Sequence, residues 1–371
     1  MIATPSTDVV VAGGGPAGLA VAIRARQCGL TARVIDRREP PIDKACGEGI
    51  MPDGVDLLRE MGVELVPGIS APFYGVRYID GDSVAEGRFP GASGLGIRRT
   101  ALHAAMARRA ADAGVLFSWR TETRSLLPEG IETSEGPFTG GWIVGADGLH
   151  SAIREQAGLA GRPVLPRRYG IVRHFDVEPW TDCVEVYWSD RAEAYVTPLG
   201  PRAIGVAILW RGTNLPFAAR LAQFPALAPR LDAAVLSGAA RGAGPFEQRT
   251  TGVVQGNIAL VGDAAGYLDA LTGEGLALAF RQAFALVEAI GRARLEEYAR
   301  AWRRIARRPW TMTRLLLYVE KRPDLRTSMV DALAADQALF SRIVGVHAGQ
   351  LPVRAVLGVP ALRLAARLVL R

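Results

Sequence analysis

A glycine-rich turn between an apolar strand and a helix constrains the fold of this chain more than any other feature. The apolar residues 8–12 (DVVVA) lead into a G-x-G-x-x-G pattern that begins at Gly13 and ends at Gly18. Glycines in this pattern allow a tight turn, close approach of backbone amides to a pyrophosphate, and close packing of helix on strand. Asp36 ends the next predicted strand, where a carboxylate can accept hydrogen bonds from an adenosine ribose. The sequence therefore predicts a Rossmann-type dinucleotide site.

Two later glycine-rich segments indicate which dinucleotide is bound. The carboxylate of Asp36 would repel a 2′-phosphate, which disfavours NADP and leaves FAD or NAD. GADG at 145–148 and GDAAG at 262–266 each follow an apolar strand, and TGEG at 272–275 opens a helix. Asp263 can hold a ribityl hydroxyl, and the helix amides can face the flavin atoms N1 and O2, where negative charge gathers on reduction. These segments favour FAD.

The ordered set of motifs resembles the flavoprotein superfamily that joins para-hydroxybenzoate-hydroxylase-like aromatic hydroxylases to geranylgeranyl reductases. The matching segments are 13–36, 96–106, 145–154 and 257–279. The resemblance implies a non-covalent FAD that Arg99, or alternatively Arg98, contacts. Because no second G-x-G-x-x-G follows a strand, NADH or NADPH is expected as a transient reductant. The residues expected to contact FAD are Gly13, Gly15, Pro16, Ala17, Gly18, Asp36, Arg37, Lys44, Cys46, Gly47, Arg99, Asp147, Gly262, Asp263, Gly273, Glu274 and Gly275.

The segment Lys44–Gly49 (KACGEG) points to a subfamily. In reductases of the geranylgeranyl type a similar Cys-Gly pair lies beside the isoalloxazine ring. Cys46 is therefore a candidate catalytic residue; the alternative is a small packing residue without a chemical role. Lys44 lies either beside a phosphate of the cofactor or on the surface.

The chain changes character after the second glycine-rich segment, and this predicts the fold class. Runs between residues 168 and 210 are β-rich, whereas the chain beyond 274 is helical, with breaks predicted at Pro309, Pro323, Pro352 and Pro360. We predict an α/β (α+β) fold in which an antiparallel sheet interrupts a Rossmann-type domain. The boundaries are 1–70, 95–160 and 250–300 for the FAD-binding domain, 71–94 and 161–249 for the β-sheet substrate domain, and 301–371 for the helical C-terminal region.

Alternation along the predicted sheet supplies the candidates for the substrate pocket. His174 is the only histidine in the sheet, and its ordinary pKa would suit a general base that deprotonates a phenol. Tyr195 is the third catalytic candidate, beside Cys46. Alternation alone does not say which face of the sheet meets the flavin. For each candidate residue, a place in the core or on the outer face of the sheet therefore remains the alternative to a place in the pocket. The pocket candidates are Arg173, Tyr187, Tyr195 and Thr197.

The reaction type is predicted from a departure from the reductases. Those enzymes carry Tyr-x-Trp-x-Phe-Pro on the sheet that faces the flavin, whereas residues 193–198 here read EAYVTP and keep only the proline. This favours an FAD-dependent, NAD(P)H-consuming monooxygenase that uses O2 to hydroxylate a phenolic or other apolar, electron-rich small molecule, in secondary metabolism. The alternatives are a reductase of C=C bonds in an isoprenoid or lipid, and a flavin-binding regulatory or scaffold protein.

Composition excludes several other classes. The formal net charge is +7, but the arginines are scattered and no basic stripe interleaves with aromatics, so no nucleic-acid partner is expected. Three cysteines without a Cys-x-x-Cys pair and four separated histidines predict no disulfide framework and no metal site. We expect a cytoplasmic protein. Residues 359–371 form either an interfacial helix at a membrane surface or a helix docked on its own domain; the oligomeric state is open.

Overall fold

A mostly parallel sheet carries the glycine turn at its centre. The computed structural model describes residues 6–163 and 167–356. Its first sheet has the strand order β17-β18-β11-β1-β2-β8, and the β9–β10 hairpin extends β11. The pairs of β1 with β2 and β11, of β2 with β8 and of β11 with β18 are parallel. The strands of this sheet are β1 (Thr7–Ala12), β2 (Ala32–Asp36), β8 (Leu116–Trp119), β9 (Thr123–Leu127), β10 (Gly130–Thr133), β11 (Gly136–Gly145), β17 (Val254–Gln255) and β18 (Ile258–Leu260).

The structure contains a second sheet, which has seven strands. Its order is β16-β12-β15-β14-β13-β5-β6, and all neighbours are antiparallel except β13 and β5. A small sheet, β3-β7-β4, packs against β14. The strands of these two sheets are β3 (Gly49–Ile50), β4 (Ser70–Phe73), β5 (Gly75–Asp80), β6 (Ser83–Arg88), β7 (Gly94–Ile97), β12 (Arg168–Asp176), β13 (Val184–Trp188), β14 (Ala192–Gly200), β15 (Ala203–Arg211) and β16 (Val235–Ala243).

The helices cover both sheets. α1 and α7 pack on the parallel sheet, where Val9, Val10 and Val11 are fully buried, as expected for strands covered on both faces. The helices are α1 (Pro16–Gln27), α2 (Pro52–Glu60), α3 (Arg99–Asp112), α4 (Ala152–Gln156), α5 (Phe217–Leu221), α6 (Ala228–Leu231), α7 (Gly275–Gly291), α8 (Leu295–Glu320), α9 (Pro323–Ala334) and α10 (Gln337–His347), with 3₁₀ turns at Gly262–Ala265 and Val353–Val356.

The predicted α/β class, with an interrupted Rossmann-type domain and a helical end, is confirmed. The first helix begins at Pro16, because proline fits the first turn, where its missing N–H has no helical partner.

The prediction that Pro309 breaks a helix is wrong. α8 runs through it, although an internal proline costs about 3 kcal/mol. Pro309 is buried, and α8 packs against α7. Tertiary packing therefore offsets the lost hydrogen bond. Within α8, the rings of Trp302 and Trp310 also pack edge to face, with centroids 5.4 Å apart. Pro323 instead begins α9. Pro360 and the predicted helix at 359–371 lie outside the described residues.

Candidate active site

The glycine turn is shaped to receive a phosphate group at the start of α1. Gly13 has φ +110°, and a Cβ there would lie 2.3 Å from the carbonyl oxygen of Ala146, so only glycine fits. At Gly15 the nearest atom to such a Cβ is a guanidinium nitrogen of Arg99, 3.6 Å away, which leaves the front of the turn open. No side chain caps the N-terminus of α1. Its first amides, together with Arg99, are therefore placed where they could bind an anion.

A buried histidine that the sequence did not single out supports this turn. His103 is fully buried on α3, and its Nδ1 accepts a hydrogen bond from the amide of Ile42 (3.3 Å). Nε2 must then carry the proton, which it donates to the carbonyl of Gly14 at 2.7 Å. The same ring thus fixes the turn and the loop that leads to Lys44.

Asp36 lies at the end of β2, beside the turn. Its carboxylate accepts hydrogen bonds from the amides of Gly14 (2.8 Å) and Arg38 (2.9 Å). The neighbouring Arg37 is exposed. The acid is therefore held at the end of the sheet where an adenosine ribose would lie.

Charged groups surround the opposite side of the turn. The ammonium of Lys44 points toward Gly148, 3.5 Å from the position of a Cβ there. Lys44 is exposed, yet partial desolvation by its neighbours lowers its pKa, and the carboxylates of Asp36 and Asp263 act against that shift. Burial raises the pKa of Asp263, which Arg99 and Lys44 oppose. One cleft thus collects the cationic and acidic residues predicted to bind FAD.

Arg154 joins the two later glycine-rich segments. It is buried and donates to the carbonyl oxygens of Leu149 (2.9 Å) and Ala264 (3.1 Å). Asp147 accepts from the amide of Ile153 at 3.1 Å, whereas its Oδ1 is buried with no partner among the described residues. The structure therefore places Asp147 in the turn, with one oxygen left for a ligand.

Glu48 is the principal residue that the sequence reasoning missed. It has φ +60°, and its side chain is buried between β7 and β12. One carboxylate oxygen accepts the amide proton of Arg99 at 2.8 Å, and the other lies 2.7 Å from Nε2 of His174. An acid directly after Cys46-Gly47, flanked by a second glycine, was the available signal. Arg98 approaches the same carboxylate at 3.9 Å, while Arg99 reaches the turn.

The Glu48–His174 pair leaves one histidine nitrogen free. His174 is 4% exposed, and its Nδ1 is buried without a partner in the described part of the chain. When Nε2–H donates to the carboxylate, Nδ1 carries an unused lone pair. A carboxylate in this position fixes the tautomer and stabilises the imidazolium that forms on protonation. The pair therefore has the hydrogen-bond arrangement that a general base would need.

The loop that contains Cys46 is pressed against the second sheet. A Cβ at Gly96 would lie 1.7 Å from the carbonyl oxygen of Pro198, so the backbones of β7 and β14 are in direct contact at this point. The hydroxyl of Thr197 donates to the carbonyl of Gly47 at 3.0 Å. Burial raises the pKa of the Cys46 thiol, and Arg99 acts against that shift.

Two of the predicted pocket residues face away from this loop. Tyr187 pairs with Ala194 and packs in the cluster on the other face of the sheet, where its hydroxyl donates to Glu185 at 2.6 Å. Arg173 neighbours His174 on β12, so it projects to the opposite face, and it donates to the carbonyl of Gly238. The prediction that Arg173 and Tyr187 line the pocket is wrong, because the register of the sheet was not visible in the sequence.

Tyr195 does lie on the inner face, but its hydroxyl is already used. It pairs with Val186 and donates to the carbonyl of Leu271 at 3.0 Å. Val186, Trp188, Leu271 and Leu316 form an apolar cluster around it. The inner face is therefore apolar around Tyr195, and the tyrosine hydroxyl is not available to hydrogen-bond a substrate.

The loop that opens α7 is tied to the C-terminal helices. Glu274 is buried, and its carboxylate lies 3.3 Å from Nδ1 of His347 and 3.8 Å from Arg308. His347 also places Nε2 at 2.9 Å from the carbonyl of Thr272. Burial raises the pKa of Glu274, and the neighbouring His347 and Arg308 act against that shift. His347 and Arg308 come from elements too distant in sequence for the local pattern to reveal.

A buried charge network lies beneath this loop. Arg168 makes ion pairs with Glu193 (2.7 Å), Asp269 (2.8 Å) and Glu320 (3.1 Å). Three carboxylates thus share one guanidinium, with Arg211 adding a second contact to Glu320. Burial, together with repulsion from the other acids, raises the pKa of Glu193 to about 7 despite Arg168.

Two kinds of feature are absent from the described ranges, 6–163 and 167–356. No helix there is long and apolar enough to cross a membrane. No group of three or more histidine, cysteine and acidic side chains there is arranged to hold a metal ion.

A family model and several relatives match this chain. The family model for an FAD binding domain matches residues 6–205. Dialkyldecalin synthase of Streptomyces rugosporus is 28% identical over 54% of this chain and 46% of its own length, so the match spans about half of that relative. Digeranylgeranylglycerophospholipid reductase 2 of Methanosphaera stadtmanae is 28% identical over 73% of this chain and 74% of its own. Menaquinone reductase of Mycobacterium tuberculosis is 27% identical over 73% of each chain.

Solved structures share the fold. A flavoprotein/dehydrogenase of Cytophaga hutchinsonii superposes with a TM-score of 0.80 at 17% identity and covers 93% of each chain. Halogenase PltM in complex with phloroglucinol and FAD superposes with a TM-score of 0.72 at 16% identity, over 91% of this chain and 79% of its own.

Proposed function

This chain belongs to the FAD binding domain family of flavoenzymes, and from that premise we propose that it is an FAD-dependent monooxygenase. It hydroxylates a phenolic or other electron-rich, apolar small molecule, with O2 as co-substrate and NADH or NADPH as a transient reductant. One observation carries the proposal. The Glu48–His174 pair holds an unpartnered Nδ1 beside the Cys46–Glu48 loop, where a substrate hydroxyl needs a base.

The residues present fit FAD. The open front of Gly15 accepts a pyrophosphate, and the buried Nε of Arg99 and Oδ1 of Asp147 lack partners among the residues described. Asp36 and Asp263 would hold the ribose and ribityl hydroxyls at the two ends. The chemistry that bound FAD supplies is the transfer of reducing equivalents from the nicotinamide to O2.

His174 acts on the substrate hydroxyl. Its Nδ1 takes the phenolic proton, while Nε2–H remains hydrogen-bonded to the Glu48 carboxylate. Loss of that proton makes the ring electron-rich, which is what attack by an electrophilic oxygen requires. Glu48 in turn is held by the amide of Arg99, which couples the base to the FAD-binding helix α3.

The apolar inner face orients the ring and excludes water. Leu271 is buried in the apolar cluster around Tyr195, on the same face of the sheet as His174, so a ring held on this face would contact mainly apolar side chains. An electrostatic contact is stronger in such surroundings, and reactive species are protected from side reactions with water.

A reductase of C=C bonds in an isoprenoid or lipid is the second candidate. It is favoured by the reductases that are 27–28% identical over 73% of this chain. It is also favoured by the hydroxyls of Tyr195 and Thr197, which are satisfied within the protein and leave the inner face apolar. His174 would then deliver a proton to the alkene instead of removing one.

Oxygen uptake separates the two candidates. We expect NAD(P)H oxidation to consume O2 in proportion to an added phenol, such as an alkylated resorcinol. His174→Gln should slow this reaction by about 10²- to 10⁴-fold, the usual contribution of a general base. His150→Gln is the control, because His150 is exposed and its hydrogen-bond partner among the described residues is the carbonyl of Gly244. Rapid alkene reduction without O2 consumption would contradict the monooxygenase proposal.

A further inference from the structure

One face of α8 carries a dense positive charge. Eight residues between Arg300 and Glu320 are exposed, five of them are arginines, and none is acidic. Their spacing of three and four residues places them within about 120° around the helix axis. We name this surface the α8 basic face. Its exposed residues are Arg300, Arg303, Arg304, Arg307, Thr311, Arg314, Leu315 and Tyr318.

The arginines of this face have no carboxylate partner among the described residues. Of the two acids near the start of the helix, Glu297 pairs with Arg292 and Arg294, whereas Glu296 is exposed one turn before Arg300 and makes no ion pair among the described residues. The acid at its end, Glu320, is buried with Arg168 and Arg211. The charge of the α8 basic face is therefore unneutralised within the described part of the protein.

The C-terminal end of the face adds exposed apolar surface. Leu315 is 55% exposed and Tyr318 is 52% exposed. Arg322 stacks on the Tyr318 ring at 3.8 Å, and Lys321 beside it is also exposed. Apolar side chains amid cations are typical of a helix that lies in the interface of an anionic membrane.

The opposite side of α8 faces the loop that opens α7, which is predicted to contact the flavin. Pro309, Trp310 and Thr313 line a cleft together with Asp263 and Glu274. A single helix thus separates the basic face from the cleft beside the candidate active site. An apolar substrate dissolved in a bilayer would need only a short path to reach that cleft.

We propose that the α8 basic face docks the protein on a membrane surface rich in anionic phospholipids. The arginines contact the phosphate groups, while Leu315 and Tyr318 enter the boundary between headgroups and acyl chains. A polynucleotide would also attract the arginines, but it would gain nothing from an exposed leucine. The proposal is independent of the reaction type.

Vesicle co-sedimentation tests it with the FAD-loaded protein. The probes are vesicles of phosphatidylcholine alone and vesicles of phosphatidylcholine mixed with phosphatidylglycerol. We expect binding to the mixed vesicles only. The variant Arg303→Glu/Arg304→Glu/Arg307→Glu should lower the partition coefficient by about 100-fold or more, because each basic residue near such a surface contributes roughly a factor of five.

A charge-matched variant shows whether the effect is local. Arg108, Arg124 and Arg202 are exposed on other elements, and changing all three to glutamate alters the net charge equally. This control should retain binding, with FAD content and circular dichroism unchanged in both variants. Equal losses of vesicle binding in the two variants would overturn the proposal. A wild-type protein that does not bind the mixed vesicles would also overturn it.

The apolar pair distinguishes a membrane from a nucleic acid. Leu315→Ser/Tyr318→Ser should weaken vesicle binding several-fold without changing any interaction with double-stranded DNA. If DNA binds more tightly than the mixed vesicles and this variant leaves vesicle binding unchanged, the surface serves a polynucleotide and the proposal is wrong.

Discussion

Replacing Glu48 with glutamine tests the role assigned to the Glu48–His174 pair. The carboxylate accepts two hydrogen bonds, from the amide of Arg99 at 2.8 Å and at Nε2 of His174 at 2.7 Å. Glutamine retains the shape but has one oxygen and one NH₂ group. If the oxygen keeps the Arg99 amide, the NH₂ group faces Nε2, and the imidazole proton must move to Nδ1. The lone pair that would act as the base is then lost.

The magnitude follows from the negative charge that is removed. Hydrogen bonds to a charged group contribute about 1.5–3 kcal/mol, so Glu48→Gln should lower the free energy of unfolding by about 2 kcal/mol. The base-dependent step should slow by about 10²- to 10⁴-fold. FAD content should change little, because Arg99 keeps its acceptor.

The tautomer of His174 can be measured directly. The chain has four histidines, so long-range ¹H–¹⁵N correlation spectra of protein labelled at histidine are simple to assign with single variants. We expect the Nε2–H tautomer in the wild-type protein and the Nδ1–H tautomer in Glu48→Gln. Glu185→Gln is the matched control, since Glu185 is equally buried and binds Arg77 on the other face. It should destabilise the fold and leave the His174 signals unchanged. An unaltered His174 tautomer in Glu48→Gln would refute the assignment.

Three further predictions concern the cofactor, the charge network and the sheet. Asp263→Ala and Asp36→Ala should each weaken FAD binding by about ten- to a hundredfold in fluorescence titrations, since each removes a charge-assisted hydrogen bond; unchanged affinity in both would mean that the nucleotide lies elsewhere. Because the pKa of Glu193 is raised to about 7 from its ordinary 4.5, the folded protein retains a proton that the unfolded chain has lost. The free energy of unfolding should therefore fall as the pH rises from about 4.5 to about 7, and Glu193→Gln should flatten this slope in denaturant titrations at several pH values; an equal slope in both proteins would count against it. Tyr195→Phe should cost about 1 kcal/mol of stability, because the carbonyl of Leu271 loses its donor, without altering substrate affinity; a large rise in the substrate Kd would restore the tyrosine as a substrate contact.

The cofactor half of the site could be predicted because its signals are local. The turn at Gly13, the acid that ends β2 and the acid after β18 each follow a strand directly. The carboxyl ends of neighbouring parallel strands meet at one edge of a sheet, so short patterns were enough to bring Asp36 and Asp263 together.

The substrate half depends on long-range pairing, which a local pattern does not encode. Glu48 and His174 are 126 residues apart in sequence and meet only when the small sheet packs on β14 and β12. The inner and outer faces of the sheet depend on the register of β13 with β14, which placed Tyr187 outside and Tyr195 inside. Helix α8 continued through Pro309 because tertiary packing outweighed local propensity.

The most direct test of the account is the mass of the product formed under ¹⁸O₂. The FAD-loaded protein is supplied with NADH or NADPH and a candidate phenol, and the product is analysed after turnover. We expect a product that carries one ¹⁸O atom, formed by the wild-type protein and by His150→Gln but strongly reduced in His174→Gln. A product that gains two hydrogens and carries no label would contradict it and assign the chain to the reductases.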